Sequence, residues 1–348
     1  MAAEGPVHDR PEVRIDRSDV GRRVSVRRLS GFTGDNRPVF RDVIGVLASW
    51  DDAGLTVVPR SGGPVSFEEK LLVAGKAVPP FPARRAPLPQ AAPDALQRTA
   101  ARGWPAVEQE PLGGWTLRAS AGFTRRANSV QALGDPGVPL DEALTTVRGW
   151  YAARGLPAWV EVTAPGSPEA LRAELDALGA RYAPTLVRVA ALAPLSRPGD
   201  RTGLERVRLS RTASPGWMSL YRRVTGDPAA EEAARAVLHG GPSVWFATVH
   251  DTPDRSAGGD AAPPVLAIGR CVVDGPWAGF GAVEVAPRAR RRGLATAVMA
   301  VLAARAAEEG ASGAYLQVEA DNDGAIALYD GLGFTTSHTY HYALLPQG

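Results

Sequence analysis

The chain has 348 residues, 45% of them apolar, and a formal net charge of +2. That length is comfortable for two or three domains with buried cores, and the charge excludes a bulk polycation. One cysteine, Cys271, excludes an internal disulfide framework. No apolar run approaches the roughly 20 residues of a membrane span, and residues 1–18 hold no signal-length apolar core, so a cytoplasmic chain with no membrane partner is expected. Of 39 basic side chains only Lys70 and Lys76 are lysines. Heavy use of Arg, Ala, Gly and Pro reads as a GC-rich coding bias, which discounts any single arginine as a signal.

In chain order, residues 1–78 offer strands at 22–29, 42–50, 54–59 and 64–75 separated by turn residues, and no helical period. This predicts a small all-β, SH3-like barrel. Val24 and Val26 alternate with Arg23, Arg27 and Arg28, so one strand face is wet and basic. The low net charge favours a solvated face over a nucleic-acid surface. Residues 79–93 carry six prolines and read as a semi-rigid linker.

Residues 94–195 alternate strands at 115–120, 127–133, 158–164 and 185–192 with helices at 139–153 and 167–178. The first helix has Pro139 early and Gly155 just beyond its end. A break at 193–203 precedes the block 204–348. There, strands are expected at 205–209, 243–250, 265–273, 279–286, 314–319 and 337–345. Helices are expected at 215–224, 229–239, 294–309 and 323–331, and a loop at 251–264. The class is mixed α/β with a largely antiparallel early sheet. A faint repeat sets 159–179 against 316–333: strand, helix, Leu-Gly, turn, strand. The second copy carries Asn322 and Tyr329 where the first has no equivalent, so one copy reads as equipped and the other as structural.

The stretch 287–298, PRARRRGLATAV, follows an apolar strand. Leu294, Ala297, Val298, Val301 and Leu302 fall on one face of the helix after it. A strand-to-helix turn with glycine at the helix start exposes unpaired amides at the positive end of the dipole, which makes an anion site. Gly293 allows close approach, and the neighbouring arginines add contacts to further phosphates. A nucleic-acid reading wants basic residues along the helix face, but these stop at the turn, so phosphate is favoured.

With these residues in view, V-E-V-x-P-x-x-R-x-x-G-x-A resembles the acyl-CoA-binding motif of the GNAT N-acetyltransferases, at Arg290, Gly293 and Ala295. The run N-D-G-A-I-A-L-Y-D-G-L-G-F resembles the family's closing motif, at Asn322, Ala325, Leu328, Tyr329, Gly333 and Phe334. The resemblance covers 204–345 and makes 94–195 similar to a degenerate copy. The arrangement as a whole is similar to an actinobacterial subfamily labelled as histone acetyltransferases.

The resemblance implies a GNAT fold, acetyl-CoA as co-substrate, no metal, and a small-molecule or protein amine as acceptor. It implies that the main chain of Val283 to Val285 pairs with pantetheine. It gives the pyrophosphate to the turn Arg290, Arg291, Arg292, Gly293, Leu294, Ala295 and Thr296. Asn322 binds pantetheine while also being a favoured helix N-cap. Tyr329, two turns on and about 10 Å away on the same face, protonates the departing thiolate. The base is Glu284, with Glu319 or water as alternatives, because Gln317 stands where some family members carry a glutamate.

His338 and His341 lie three apart in a strand, so they face opposite sides and make a poor metal pair. Cys271, Trp217, Trp245 and Trp277 read as core. The rival to the enzyme is an acyl-CoA-sensing or nucleic-acid-associated binding protein, which the basic first domain keeps open.

Overall fold

The computed structural model describes residues 13–59, 63–78, 87–196, 203–221, 223, 226–251 and 263–346. The greater part of the expected linker 79–93, and of the breaks 193–203 and 251–264, lies outside them. The chain divides into two compact units, residues 1–84 with 308–310 and residues 85–307 with 311–348.

In the first unit, β1 (Val13–Arg14), β2 (Arg23–Phe32), β3 (Pro38–Asp51), β4 (Gly54–Pro59), β5 (Val65–Phe67) and β6 (Leu72–Ala77) form one sheet in the order β1-β6-β2-β3-β4-β5. Val24, Val26, Leu47, Leu55, Val57 and Phe67 bury one face as its core. The basic face is internally compensated in part, since Arg27 makes two hydrogen bonds to Asp42 at 2.7 and 2.8 Å. The closed SH3-like barrel expected here is corrected. The sheet is open, with β1 and β5 as unjoined edges among the described residues. The expected strand 64–75 breaks at a 3-10 turn, Glu69–Leu71, so its halves pair with different strands, β5 with β4 and β6 with β2.

The second unit opens with α1 (Pro93–Gly103), β7 (Glu108–Leu112), β8 (Trp115–Ala119), β9 (Val130–Gln131), α2 (Leu140–Ala152), β10 (Trp159–Thr163), α3 (Leu171–Ala177), β11 (Arg181–Ala191) and α4 (Leu192–Ser196). It continues with β12 (Val207–Ser210), α5 (Pro215–Leu220), α6 (Pro228–His239), β13 (Ser243–His250), β14 (Val265–Asp274), β15 (Trp277–Val285), α7 (Leu294–Glu308), β16 (Gly313–Glu319), α8 (Asp323–Gly331) and β17 (Thr335–Leu344). The α1 helix and β7 were not expected from sequence. In α1, Pro93 sits in the first turn and Leu96 and Ala100 are buried one turn apart. No helix among the described residues is long and apolar enough to cross a membrane.

The two mixed α/β blocks do not build separate sheets. They share an 11-stranded sheet in the order β12-β13-β14-β15-β16-β11-β17-β10-β9-β8-β7. The repeat units are β10-α3-β11 and β16-α8-β17, and they exchange last strands. β11 pairs antiparallel with β16, β17 pairs antiparallel with β10, and the two exchanged strands pair with each other. The cores are exchanged too. Ala343 and Leu345 pack with Trp115, Leu144 and Val160 of the first block, while Ala190, Leu192 and Leu195 pack with Leu266, Met299 and Leu316 of the second.

A buried ion pair occupies the first block. Arg118 donates to Glu161 at 2.7 Å, with both side chains almost wholly buried. Arg118 also donates to the Ser129 carbonyl and hydroxyl at 2.9 and 2.8 Å. The other Glu161 oxygen accepts from Gln97 at 3.2 Å and Gln131 at 3.0 Å. Burial works against the Arg118 charge and Glu161 restores it, leaving its pKa raised. Glu161→Gln leaves that guanidinium buried without its counter-charge and is expected to cost about 3–5 kcal/mol in urea unfolding. A loss below about 1 kcal/mol would show the charge to be compensated elsewhere.

Candidate active site

The site begins where two parallel strands part. β15 and β16 pair only from Trp277–Phe280 against Gly313–Leu316. Beyond that, β15 stays paired to β14 and β16 to β11, so a gap opens between 281–285 and 317–319. The parting coincides with a bulge. Two residues of β15, Ala282 and Val283, stand against Gly269 alone, and Ala282 takes a left-handed φ of 51°. A bulge bends and twists its strand away from its neighbour. The peptide groups of 281–285 that face the gap have no ladder partner there, which suits them to an extended ligand.

The gap widens into a cavity of about 1250 Å³. Pockets for one drug-sized ligand run to roughly 300–1,000 Å³, so this cavity is somewhat larger than one such ligand needs. At one end lies the turn before α7. Arg291 and Gly293 both have left-handed φ, 61° and 74°. A Cβ built at Gly293 would have no atom within 4 Å, so the cradle is open on that side. The 15-residue α7 then presents its first amides, and Leu294, Ala297, Val298 and Leu302 anchor it in the core. Ala282, Arg291 and Thr124, with φ of 56°, are non-glycine residues in this uncommon region, and all three line the cavity. Backbone held this way costs about 1–3 kcal/mol and tends to collect at functional sites.

The sequence candidates converge here. Val283, Glu284, Val285, Arg290, Arg291, Gly293, Leu294, Ala295, Thr296, Asn322 and Tyr329 all line the cavity. Arg292 is exposed and is not among the residues that line it. Glu319 and Gln317 also line it. Asn322 caps α8, its side-chain oxygen accepting from the Ala325 amide at 3.1 Å. Tyr329 is half-buried, its ring 5.7 Å from Phe334. Burial pushes its pKa up to about 12, so the phenol is protonated at neutral pH, and its hydroxyl has no partner among the described residues. Trp217, Trp245, Trp277 and Cys271 are buried away from the cavity.

Sequence reasoning missed the opposite wall. Trp104, Thr124, Arg125, Arg126 and Thr185 come from the first block, and Tyr340 and Tyr342 from the exchanged strand β17. Their only local signal was a paired arginine in an arginine-rich chain.

A family model described as "Probable histone acetyltransferase Rv0428c C-terminal" matches residues 93–343, well over half of the chain. The protein "Probable histone acetyltransferase Rv0428c" of Mycobacterium tuberculosis is 28% identical over 335 residues, covering 93% of this chain and 94% of that one. The "Uncharacterized N-acetyltransferase YobR" of Bacillus subtilis is 28% identical over 256 residues, covering 72% of this chain and 97% of that one. A GCN5-related N-acetyltransferase structure from Kribbella flavida is similar in fold, with TM-score 0.51, 19% identity, and coverage of 75% of this chain and 98% of that one.

Proposed function

Since the chain belongs to the Rv0428c C-terminal family and is a GNAT-family, acyl-CoA-dependent N-acetyltransferase, we propose that it moves an acetyl group from acetyl-CoA directly to a primary amine within one ternary complex. The acceptor is a small molecule, a peptide N-terminus or a lysine side chain. The observation that carries this reading is the single cavity in which the α7 amides, the unpaired edge of β15, Glu284 and Tyr329 meet.

The residues present fit acetyl-CoA. The turn 290–296 offers a positive helix end and an open glycine for pyrophosphate. The edge at Val283 to Val285 offers peptide groups for pantetheine. Glu284 takes a proton from the acceptor ammonium, directly or through water. The neutral nitrogen then attacks the thioester carbonyl, a C–N bond forms, the C–S bond breaks, and the nitrogen sheds its second proton to solvent. A thiol ionises near 8.5, so the Tyr329 phenol makes the thiolate a better leaving group by protonating it. An acetyl-CoA substrate fits the cytoplasmic location expected from sequence.

In this reading the block 204–348 is catalytic and 94–195 is its degenerate partner. The first block has no arginine-glycine turn matching 290–295, so one acetyl-CoA per chain is expected from calorimetric titration. A stoichiometry of two would overturn the division. The cradle is tested by comparing two substitutions of Gly293. Both Gly293→Ala and Gly293→Trp bear the left-handed strain, about 1–2 kcal/mol, and neither side chain meets protein at its Cβ. Only the indole fills the cradle, so Trp is expected to abolish acetyl-CoA binding and Ala to weaken it modestly. Equal affinities in the two folded variants would remove pyrophosphate from this turn.

A further inference from the structure

We propose that the acceptor amine also carries a carboxylate, and that Arg126 is the residue that binds it. This rests on the acetyltransferase reading above and names the class of its second substrate.

Arg126 sits in a short turn that the fold holds firmly. Asn128 accepts from the Ser120 and Gly122 amides at 2.8 and 3.0 Å, and it donates to the Phe123 and Thr124 carbonyls at 2.8 Å each. The guanidinium lies 5.0 Å from the Trp104 ring and lines the cavity. It has no ion-pair partner among the described residues, and its Nε is buried with no hydrogen-bond acceptor. Arg270 stacks on the same Trp104 ring at 4.9 Å and differs in this respect, because carbonyls of Gly103, Leu238 and Gly240 receive its donors. Burial works against the Arg126 charge, and the groups that favour it are phenols, those of Tyr340, Tyr342, Tyr221 and Tyr315. Arg126 is half-buried, and a cation partly withdrawn from water without a counter-charge gains from a ligand that supplies one.

The same cavity holds the converse orphan. Glu161 can only accept, so it fixes Gln97 with its amide nitrogen toward the carboxylate, at 3.2 Å. The Gln97 oxygen is therefore turned to Gln317, whose nitrogen donates to it at 2.9 Å. That leaves the Gln317 oxygen buried without a donor. One wall thus lacks an anion and another lacks an N–H donor. An amino carboxylate supplies both, with its nitrogen toward Gln317 and Glu284 and its carboxylate toward Arg126. Arg125 and Arg223 line the same cavity, so a polyamine or a lysine-rich peptide would bring further positive charge against three arginines.

The test measures CoA release with α-amino acids, their carboxamides, spermidine and a lysine-containing peptide as acceptors. The expected result is acetylation of amino acids, with kcat/KM lower by roughly 10² for the matching carboxamide. Arg126→Gln should collapse that ratio through KM while acetyl-CoA affinity is unchanged, and Arg126→Lys should keep part of it. The proposal is overturned if carboxamide, spermidine or peptide serves as well as the amino acid. It is also overturned if Arg126→Gln keeps the ratio, or if wild-type protein that binds acetyl-CoA uses no amino acid. Failure to bind acetyl-CoA at all would instead remove the acetyltransferase reading beneath it. The carboxylate comparison in the wild type stands even if a variant does not fold.

Discussion

Tyr329→Phe is expected to lower kcat by about 10²–10⁴ while leaving acetyl-CoA affinity close to wild type. The substitution removes one hydroxyl and keeps the ring against Phe334. That hydroxyl has no partner among the described residues, so no hydrogen bond to them is lost with it. Its pKa, raised to about 12 by burial, keeps it a proton donor through the neutral range. A positioned general acid is worth about 10²–10⁴ in rate. The hydroxyl matters most as charge develops on sulfur, so the loss belongs in kcat and not in ground-state binding. The basic limb of a pH–rate profile should not report Tyr329 below about pH 11, because its phenol stays protonated there. Calorimetry with acetyl-CoA and steady-state rates with one accepted amine check this. Lost affinity with preserved turnover would make Tyr329 a binding residue. Wild-type values for both would mean that water protonates the thiolate.

The parts of the site legible in sequence are the ones built from contiguous residues. A strand, a turn with Gly293 and an apolar-faced helix follow one another within 283–302, and a cap with its helix follows within 322–334. Their chemistry depends on local backbone geometry, which spacing encodes. The opposite wall depends on pairing between distant segments. Arg126 and Trp104 reach the cavity because β11 inserts beside β16 and β17 inserts beside β10, and no local pattern announces that choice. β10-α3-β11 and β16-α8-β17 have the same periodicity whether they pair internally or exchange. The openness of the first sheet was hidden for a related reason. Residues 64–75 read as one strand, yet Glu69–Leu71 turns and sends its halves to different neighbours.

The exchange of strands has a consequence for dissection of the chain: residues 204–348 expressed alone are expected neither to fold cooperatively nor to bind acetyl-CoA. Among the described residues β17 is paired to β10 and β11, both of which lie before residue 204. β16 loses its β11 ladder from Gly313 through Glu319, along the stretch that walls the cavity. The helix bearing Tyr329 loses its anchor as well. Arg188 of β11, itself buried, donates to Asp330 at 2.5 Å and to the Phe334 carbonyl at 2.6 Å. Ala343 and Leu345 would face water, and β16 and β17 would become long unprotected edges, which favour aggregation. By contrast, residues 87–348 retain every residue that lines the cavity and are expected to bind acetyl-CoA as the whole chain does. Adding residues 87–203 in trans should rescue 204–348 if the exchanged strands are what it lacks. Far-UV circular dichroism, urea unfolding and acetyl-CoA titration of the fragments decide the matter. A folded 204–348 that binds acetyl-CoA with the affinity of the whole chain would show that the second copy closes on its own last strand, and that the exchange is not required for the site.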